Sequence, residues 1–214
     1  MINTALLRRA AVCVTLAFYV NTAVSAGSFD DLFQAVRTND AGTVTALLYK
    51  GMDPDTTDSD GNTILMTAIR EGNDEVANII LNARAKVNSR NRHGETALML
   101  AAYRGSESLV AALLANKAEV NHRGWTPLSY AAFNGHTTVA RLLLDHGAAV
   151  DARSDNGTTA LMVAAKGGHM ETVRLLLQRN ADPNTTSESG ATAASLAKEA
   201  GNTDIAELLA GRPR

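Results

Sequence analysis

The residues most suited to chemistry are five histidines, since imidazole is a common metal ligand and titrates near neutral pH. His93 and His122 fall on neighbouring loops, but no carboxylate stands near them at the spacing of a zinc site. His136 and His169 each follow a glycine at the start of a helical pattern. We therefore expect structural histidines and no metal site.

Acidic residues and catalytic motifs give no stronger signal. Asp53, Asp55, Asp58 and Asp60 are as dense as a calcium-binding loop, but the closing Glu of such a loop is missing. The chain contains no Gly-x-Ser-x-Gly elbow, phosphate-binding loop or dinucleotide fingerprint. The sequence therefore predicts no catalytic residue and no cofactor, and we do not expect an enzyme.

A repeat supplies the elements that would position any site. Segments beginning at five glycines align at spacings of 33, 30, 33 and 33 residues. They read GNTILMTAIREGNDEVANIIL from Gly61, GETALMLAAYRGSESLVAALL from Gly94, GWTPLSYAAFNGHTTVARLLL from Gly124, GTTALMVAAKGGHMETVRLLL from Gly157 and GATAASLAKEAGNTDIAELL from Gly190. A further unit without the opening glycine starts at Ser28. A fixed period of this kind is the signature of a stacked repeat protein.

Each unit predicts a hairpin turn followed by two short helices. The glycine supplies the positive φ angle of the turn. Small residues such as Ala101-Ala102 lie midway along the first helix and let neighbouring helices approach closely. The second helix carries runs such as Leu142-Leu143-Leu144, which are apolar over too wide an arc for an isolated helix. The expected fold class is all-α, a solenoid of stacked helix-turn-helix units with β-hairpin-like turns.

These features resemble the ankyrin repeat, which has a 33-residue period and a Thr-Pro-Leu-His-x-Ala signature. The resemblance covers nearly all of residues 28–212. It implies a cap unit at 28–60, inner units at 61–93, 94–123, 124–156 and 157–189, and a second cap at 190–212. The unit at 94–123 is the shortened one.

Two departures from the ankyrin pattern bear on stability. The signature His, which braces the turn, is replaced at four positions by Met66, Met99, Ser129 and Met162. After the second helix the family prefers glycine, because the backbone there turns left-handed. Gly51, Gly147 and Asn180 suit that conformation, whereas Arg84 and Lys117 should each cost about 1 kcal/mol. Both lie near the shortened turn, so we expect the centre of the array to be weak.

Residues 1–26 have the features of a secretory signal peptide. Two arginines at positions 8 and 9 are followed by an apolar stretch at 10–20, and AVSA ends at Ala26. The stretch is short for a transmembrane helix. Cleavage after Ala26 would remove the single cysteine, Cys13, and with it disulfide and thiol chemistry.

The resemblance implies that a partner binds the concave face formed by the turns and first helices. By position, the residues expected on that face are Arg70, Glu95, Tyr103, Arg104, Arg123, Trp125, Phe133, Asn134 and Lys166. Four aromatic residues lie between positions 103 and 133, and Trp, Tyr and Arg dominate the binding energy of many interfaces. Trp125, directly after the shortened turn, is therefore the expected centre of binding.

The three missing residues should open a notch in the concave face. We expect Trp125 to border this notch, with Tyr103 and Phe133 nearby, and Arg104 and Arg123 to form its rim. The partner should then present an apolar residue beside a carboxylate.

The sequence thus predicts a non-catalytic protein-binding module that acts in the periplasm or is secreted. Without residues 1–26 the chain holds 18 basic and 22 acidic residues, a balance that argues against nucleic acid as the partner. We expect a monomer with no membrane attachment after cleavage and an unidentified protein partner. An exported effector that targets a host protein is the alternative. Exported bacterial ankyrin proteins similar to this one are also associated with stress protection and toxin neutralisation, and the sequence selects neither role.

Overall fold

A computed structural model describes residues 29–211 of the 214-residue chain. The predicted signal peptide lies outside the described residues. Within them the chain forms twelve helical segments and no strand beyond one isolated bridge, Thr57 to Thr63. The helices are α1 at 29–37, α2 Ala41–Tyr49, α3 Ile64–Glu71, α4 Asp74–Asn82, α5 Ala97–Arg104, α6 Glu107–Ala115, α7 Pro127–Phe133, α8 Thr137–Asp145, α9 Ala160–Gly167, α10 Met170–Gln178, α11 Ala193–Glu199 and α12 Thr203–Ala210. The all-α solenoid is confirmed.

The helices stack in two layers. The first helices of successive units (α3, α5, α7, α9 and α11) pack in order against one another, and the second helices α2, α4, α6, α8 and α10 do the same behind them. The alanines expected at the contacts are fully buried, including Ala101, Ala102, Ala131 and Ala132. One apolar core therefore runs the length of the array.

Each first helix begins at a threonine that caps it. The Thr63 hydroxyl oxygen accepts from Met66 N at 3.2 Å, and the same bond recurs at Thr96, Thr126, Thr159 and Thr192. A capping threonine contributes about 1 kcal/mol. The methionines that replace the signature His are buried in the core.

The left-handed turns after the second helices are confirmed. Arg84 has φ 64° and Lys117 has φ 65°, the same value as Asn180, while Gly51 and Gly147 have φ 93° and 87°. The Cβ atom makes this conformation costly for Arg and Lys, whereas Gly has no Cβ and adopts it readily.

Side chains at the start of the second helices link each unit to the one before it. Each donates to a carbonyl at the end of the preceding first helix: Asn73 to Val36 at 2.7 Å, His136 to Tyr103 at 3.0 Å, His169 to Phe133 at 2.9 Å and Asn202 to Ala165 at 3.0 Å. The structural role expected for His136 and His169 is therefore a bond between units.

The unit at 94–123 makes this link differently. Ser106 stands at the position of His136 and makes no bond to the Arg70 carbonyl; its hydroxyl instead donates to Asp74 Oδ2 of the same preceding unit at 2.9 Å. Arg104 supplies the missing bond, because its guanidinium donates to the Arg70 carbonyl at 2.7 Å.

Candidate functional site

The concave side of the array carries five hairpin-like turns, here called fingers. In the first finger, residues 58–62, Asp58 N donates to Asn62 O at 3.0 Å and Gly61 N donates to Asp58 O at 3.1 Å. Gly61 has φ 76°, the left-handed angle that such a turn requires. The second (91–95), fourth (154–158) and fifth (187–191) fingers repeat both bonds at 2.8 to 3.1 Å.

The third finger, residues 121–125, is shorter and forms neither bond. Asn121 occupies the place of Asn88 in the preceding unit, since the Oδ1 atom of each accepts a backbone N–H at 2.8 Å. Two residues separate Asn121 from Gly124, whereas five separate Asn88 from Gly94. The three missing residues are therefore those that would form the fingertip.

Neighbouring fingertips are also joined, except at the third finger. Two bonds, each 3.0 Å long, run from Arg92 N to Asp60 O and from Glu188 N to Asn156 O. The equivalent groups that face the third finger are His93 O and Asp155 N. Within residues 29–211 neither has a hydrogen-bond partner. The line of fingers is thus divided into two joined pairs with a gap between them.

His122 of the third finger is buried beside this gap, with a side chain only 2% exposed. A guanidinium nitrogen of Arg90 lies 2.5 Å from its Nδ1, and a Glu119 carboxylate oxygen lies 3.8 Å from the same atom. Because a guanidinium can only donate, Nδ1 accepts, and the ring proton is on Nε2. Nε2 is buried without a partner among the described residues. Burial, together with the charge of Arg90, lowers the pKa of His122 and favours the neutral ring.

Four aromatic rings form one cluster directly after the third finger. The ring centroid of Trp125 lies 5.3 Å from that of Tyr130 and 5.9 Å from that of Phe133. The ring centroid of Tyr103 lies 6.1 Å from that of Tyr130 and 6.5 Å from that of Phe133. Trp125 is 37% exposed, Tyr103 45% and Phe133 49%. Tyr130 is half-buried, and its burial raises the pKa of its phenol. This aromatic cluster presents apolar surface on the concave side.

A groove with a volume of about 830 Å³ adjoins the aromatic cluster on its C-terminal side. Trp125 and Phe133 line it together with Lys166 at the end of α9 and Leu196 of α11. Glu188 of the fifth finger lies at the groove as well. The groove is therefore mostly apolar and carries one charge of each sign.

A smaller pocket of about 270 Å³ lies on the N-terminal side of the aromatic cluster, lined by Arg70, Glu95, Leu100, Tyr103, Arg104 and Tyr130. Its polar groups are already engaged. Arg70 donates to Asn62 Oδ1 at 3.0 Å and lies 3.5 Å from the Glu95 carboxylate, to which Asn91 also donates at 2.8 Å. This pocket therefore offers a partner fewer unbonded groups than the groove.

The helix pairs, glycine turns and concave face are those of a known repeat family. The family model for ankyrin repeats, which comprises three copies of the repeat, matches residues 32–124, 78–154, 108–187 and 147–213. The chain belongs to the ankyrin repeat family. No curated protein matches the chain.

Three of the nine predicted partner-binding residues line the groove of this ankyrin array: Trp125, Phe133 and Lys166. Tyr103 completes the aromatic cluster. Four others are bonded within the array: Arg70 and Glu95 to each other, Arg104 to the Arg70 carbonyl, and Asn134 to the Tyr103 carbonyl at 2.6 Å. Arg123 is exposed and lines neither cavity.

The notch expected from the sequence has a different form in the structure. The rings of Tyr103, Trp125 and Phe133 do not stand apart around an opening. Phe133 contacts both Tyr103 and Trp125, and Tyr130 contacts the same two rings. The open groove lies beyond them, where Lys166, and not Arg104 or Arg123, is the nearby cation.

Sequence reasoning missed the C-terminal half of the groove. Val163 and Leu196 line it from positions equivalent to Tyr130, and Glu188 reaches it from the fifth finger. The repeat register alone would have placed Val163 and Leu196 on the concave face beside Tyr130.

The described residues contain no cluster of three or more His, Cys, Asp or Glu side chains arranged to hold a metal ion. Among the helices of residues 29–211, none has the length and apolar character needed to span a membrane. Ankyrin arrays typically act as non-catalytic modules in protein–protein interaction, and the concave face described above is the surface available for that role.

Proposed function

We propose that this ankyrin array is an exported, non-catalytic module that binds a partner protein through the aromatic cluster and the adjoining groove. The observation that carries the proposal is the exposure of three touching aromatic rings beside a groove of about 830 Å³. Clustered aromatic side chains supply large apolar area at low entropic cost when a partner covers them.

The chemistry of the groove suggests what the partner presents. An apolar side chain would pack between Trp125 and Leu196, where the lining is apolar. Lys166 has no carboxylate within 4.0 Å among the described residues, so an acidic group of the partner can pair with it. We propose an apolar residue followed by a carboxylate as the recognised feature, and a monomeric array that binds it without nucleic acid or cofactor.

The test is a binding measurement on the chain that starts at Gly27, with proteins captured from periplasmic extract as the first source of the partner. Trp125→Ala should weaken binding by about 2 kcal/mol, roughly thirtyfold. The control is Tyr49→Ala, because Tyr49 is an aromatic residue that is 94% exposed and lies on α2, away from the groove. Thr158, the equivalent of Trp125 one unit later, lines the groove and is not a neutral control.

A melting curve separates binding from packing. If Trp125→Ala lowers the melting temperature and leaves affinity intact, Trp125 is a packing residue and the binding site lies elsewhere. If Tyr49→Ala weakens binding as strongly, the aromatic cluster has no special role.

The export part of the proposal rests on the features of residues 1–26. Mass spectrometry of the protein isolated from cells should find Gly27 as the first residue, and osmotic shock should release the protein from the periplasm. Intact Met1 in the cytosolic fraction would reject export. Accumulation in the culture medium would favour the effector role.

A further inference from the structure

The gap in the line of fingers has defined hydrogen-bonding groups on both sides. His93 O on the second finger and Asp155 N on the fourth finger stand where Asp60 O and Glu188 N make their bonds between fingertips. Neither has a partner within residues 29–211. The missing fingertip would have satisfied both.

In a finger of full length, the two consecutive residues before the glycine, here His122 and Arg123, would have done so. In the intact pairs, the residue two before the turn glycine donates its N–H to the preceding finger, as Arg92 does. The residue one before the glycine accepts at its carbonyl from the following finger, as Asn156 does. An occupant of the gap therefore needs one N–H and the C=O of the next residue, directed to opposite sides.

We infer that an extended segment of the partner protein occupies this gap, donating a backbone N–H to His93 O and accepting from Asp155 N at the following carbonyl. This rests on the proposed function, because the same segment would place an apolar side chain on Trp125 and an acidic one near Lys166. Pairing through the backbone gives affinity, and the side-chain contacts give sequence preference.

Other occupants fit the gap less well. The interior of a helix offers no unbonded backbone N–H or C=O groups. In a second copy, the facing backbone groups of the first and second fingers and of the fourth and fifth fingers are already bonded to each other. In an extended segment, the N–H of one residue and the C=O of the next are unpaired and point to opposite sides, as the gap requires.

The charges at the gap also suit such a segment. Arg123 is exposed in the third finger, whereas the Arg92 guanidinium lies 3.9 Å from the Asp60 carboxylate of the first finger. Asp155 borders the gap on the C-terminal side, where its carboxylate approaches the turn at Gly124. A segment with an acidic residue near Arg123 would complement this distribution.

The probe for the test is a library of displayed linear peptides, selected on the chain that starts at Gly27. The sharpest comparison is Asp155→Pro against Asp155→Ala. Gly157 N donates to Ser154 O, so Asp155 holds the second position of the turn, which proline accepts. Proline removes the N–H that the segment needs, whereas alanine keeps it.

Selected peptides should bind Asp155→Pro about tenfold more weakly than Asp155→Ala, as expected for the loss of a backbone hydrogen bond in an ordered site. Inserting Ser-Arg-Asn, the sequence of residues 89–91, between Asn121 and His122 restores the third fingertip and should abolish binding. In the peptide, N-methylation of a single amide should be disruptive, and methylation of its neighbours should be tolerated.

The outcomes separate this inference from the proposed function. If Trp125→Ala abolishes binding but the proline and restored-finger variants bind normally, the partner uses the groove alone and the gap is empty. If no linear peptide is enriched while a folded partner still binds through Trp125, the extended segment is refuted. Concentration-dependent self-association lost in the restored-finger variant would assign the gap to a second copy. Binding unaffected by every variant, including Trp125→Ala, would reject the proposed function itself.

Discussion

Replacing Lys117 with glycine should stabilise the array. Lys117 has φ 65°, and its main-chain N–H donates to Leu114 O at 2.9 Å. Its carbonyl accepts from the Asn88 side chain at 3.2 Å. Glycine keeps both bonds and removes only an exposed side chain that makes no hydrogen bond or ion pair among the described residues.

The magnitude follows from two opposing effects. A non-glycine residue in the left-handed conformation costs about 1–2 kcal/mol. Glycine loses more backbone entropy on folding, about 0.5–1 kcal/mol relative to alanine. The difference leaves a gain of roughly 0.5–1 kcal/mol in the free energy of unfolding.

Urea unfolding followed by the fluorescence of Trp125, the single tryptophan, measures this gain in the adjacent unit. Helicity by circular dichroism measures it over the whole array. Lys117→Ala is the matched control, because alanine also has a Cβ and should give no gain. Asn180→Gly should gain less than Lys117→Gly, since asparagine tolerates the left-handed region.

The reasoning is refuted by either of two results. A gain in Lys117→Ala equal to that in Lys117→Gly would mean that the lysine side chain is unfavourable for another reason. An unchanged free energy in Lys117→Gly would mean that the surrounding contacts already offset the backbone cost.

Three further predictions follow. Amide hydrogen exchange should be faster at residues 84–124 than at 140–180, because nearest-neighbour coupling is interrupted at the third finger, and equal protection would contradict this. The pKa of His122 is lowered from 6.5 in the folded protein, so the unfolded chain binds a proton more readily and the free energy of unfolding should fall as pH falls through 6.5. In His122→Gln this fall should be smaller, as measured by urea unfolding at a series of pH values. The same dependence on pH in both proteins would exclude a role for His122. His169→Ala should cost about 1 kcal/mol in a thermal melt by removing the bond to Phe133 O, and a neutral result would mean that water replaces the imidazole there.

Much of the fold could be predicted from the sequence because its determinants are local and repeated. A glycine at each turn and a threonine before each first helix act within four residues, so their spacing alone gives the helix positions. Arg84 and Lys117 were recognisable for the same reason. Among the described residues, the position after the second helix is left-handed in five successive units, at Gly51, Arg84, Lys117, Gly147 and Asn180.

The candidate site was less predictable because it depends on contacts between units. Arg104 is placed on the concave face by its position. Its guanidinium is nevertheless bonded to the preceding unit, in place of the usual link that Ser106 does not make. The direction in which Trp125 turns depends on Tyr130 and Phe133, which lie several residues away. The side of the aromatic cluster on which the groove lies was therefore not determined by sequence position.

The departures from the ankyrin pattern are concentrated in one region, and this concentration argues for a shared cause. Arg84, Ser106, Lys117 and the shortened finger all lie between residues 84 and 124, next to the aromatic cluster. Arg84 and Lys117 carry a local backbone cost, and the shortened finger removes bonds between fingertips, while Ser106 and Arg104 replace the regular link to the preceding unit with other bonds. Elements that bind partners are drawn from the less stable parts of a fold. A partner that fills the finger gap and covers Trp125 would restore the missing bonds and bury the exposed rings, so binding and local ordering of this region should occur together.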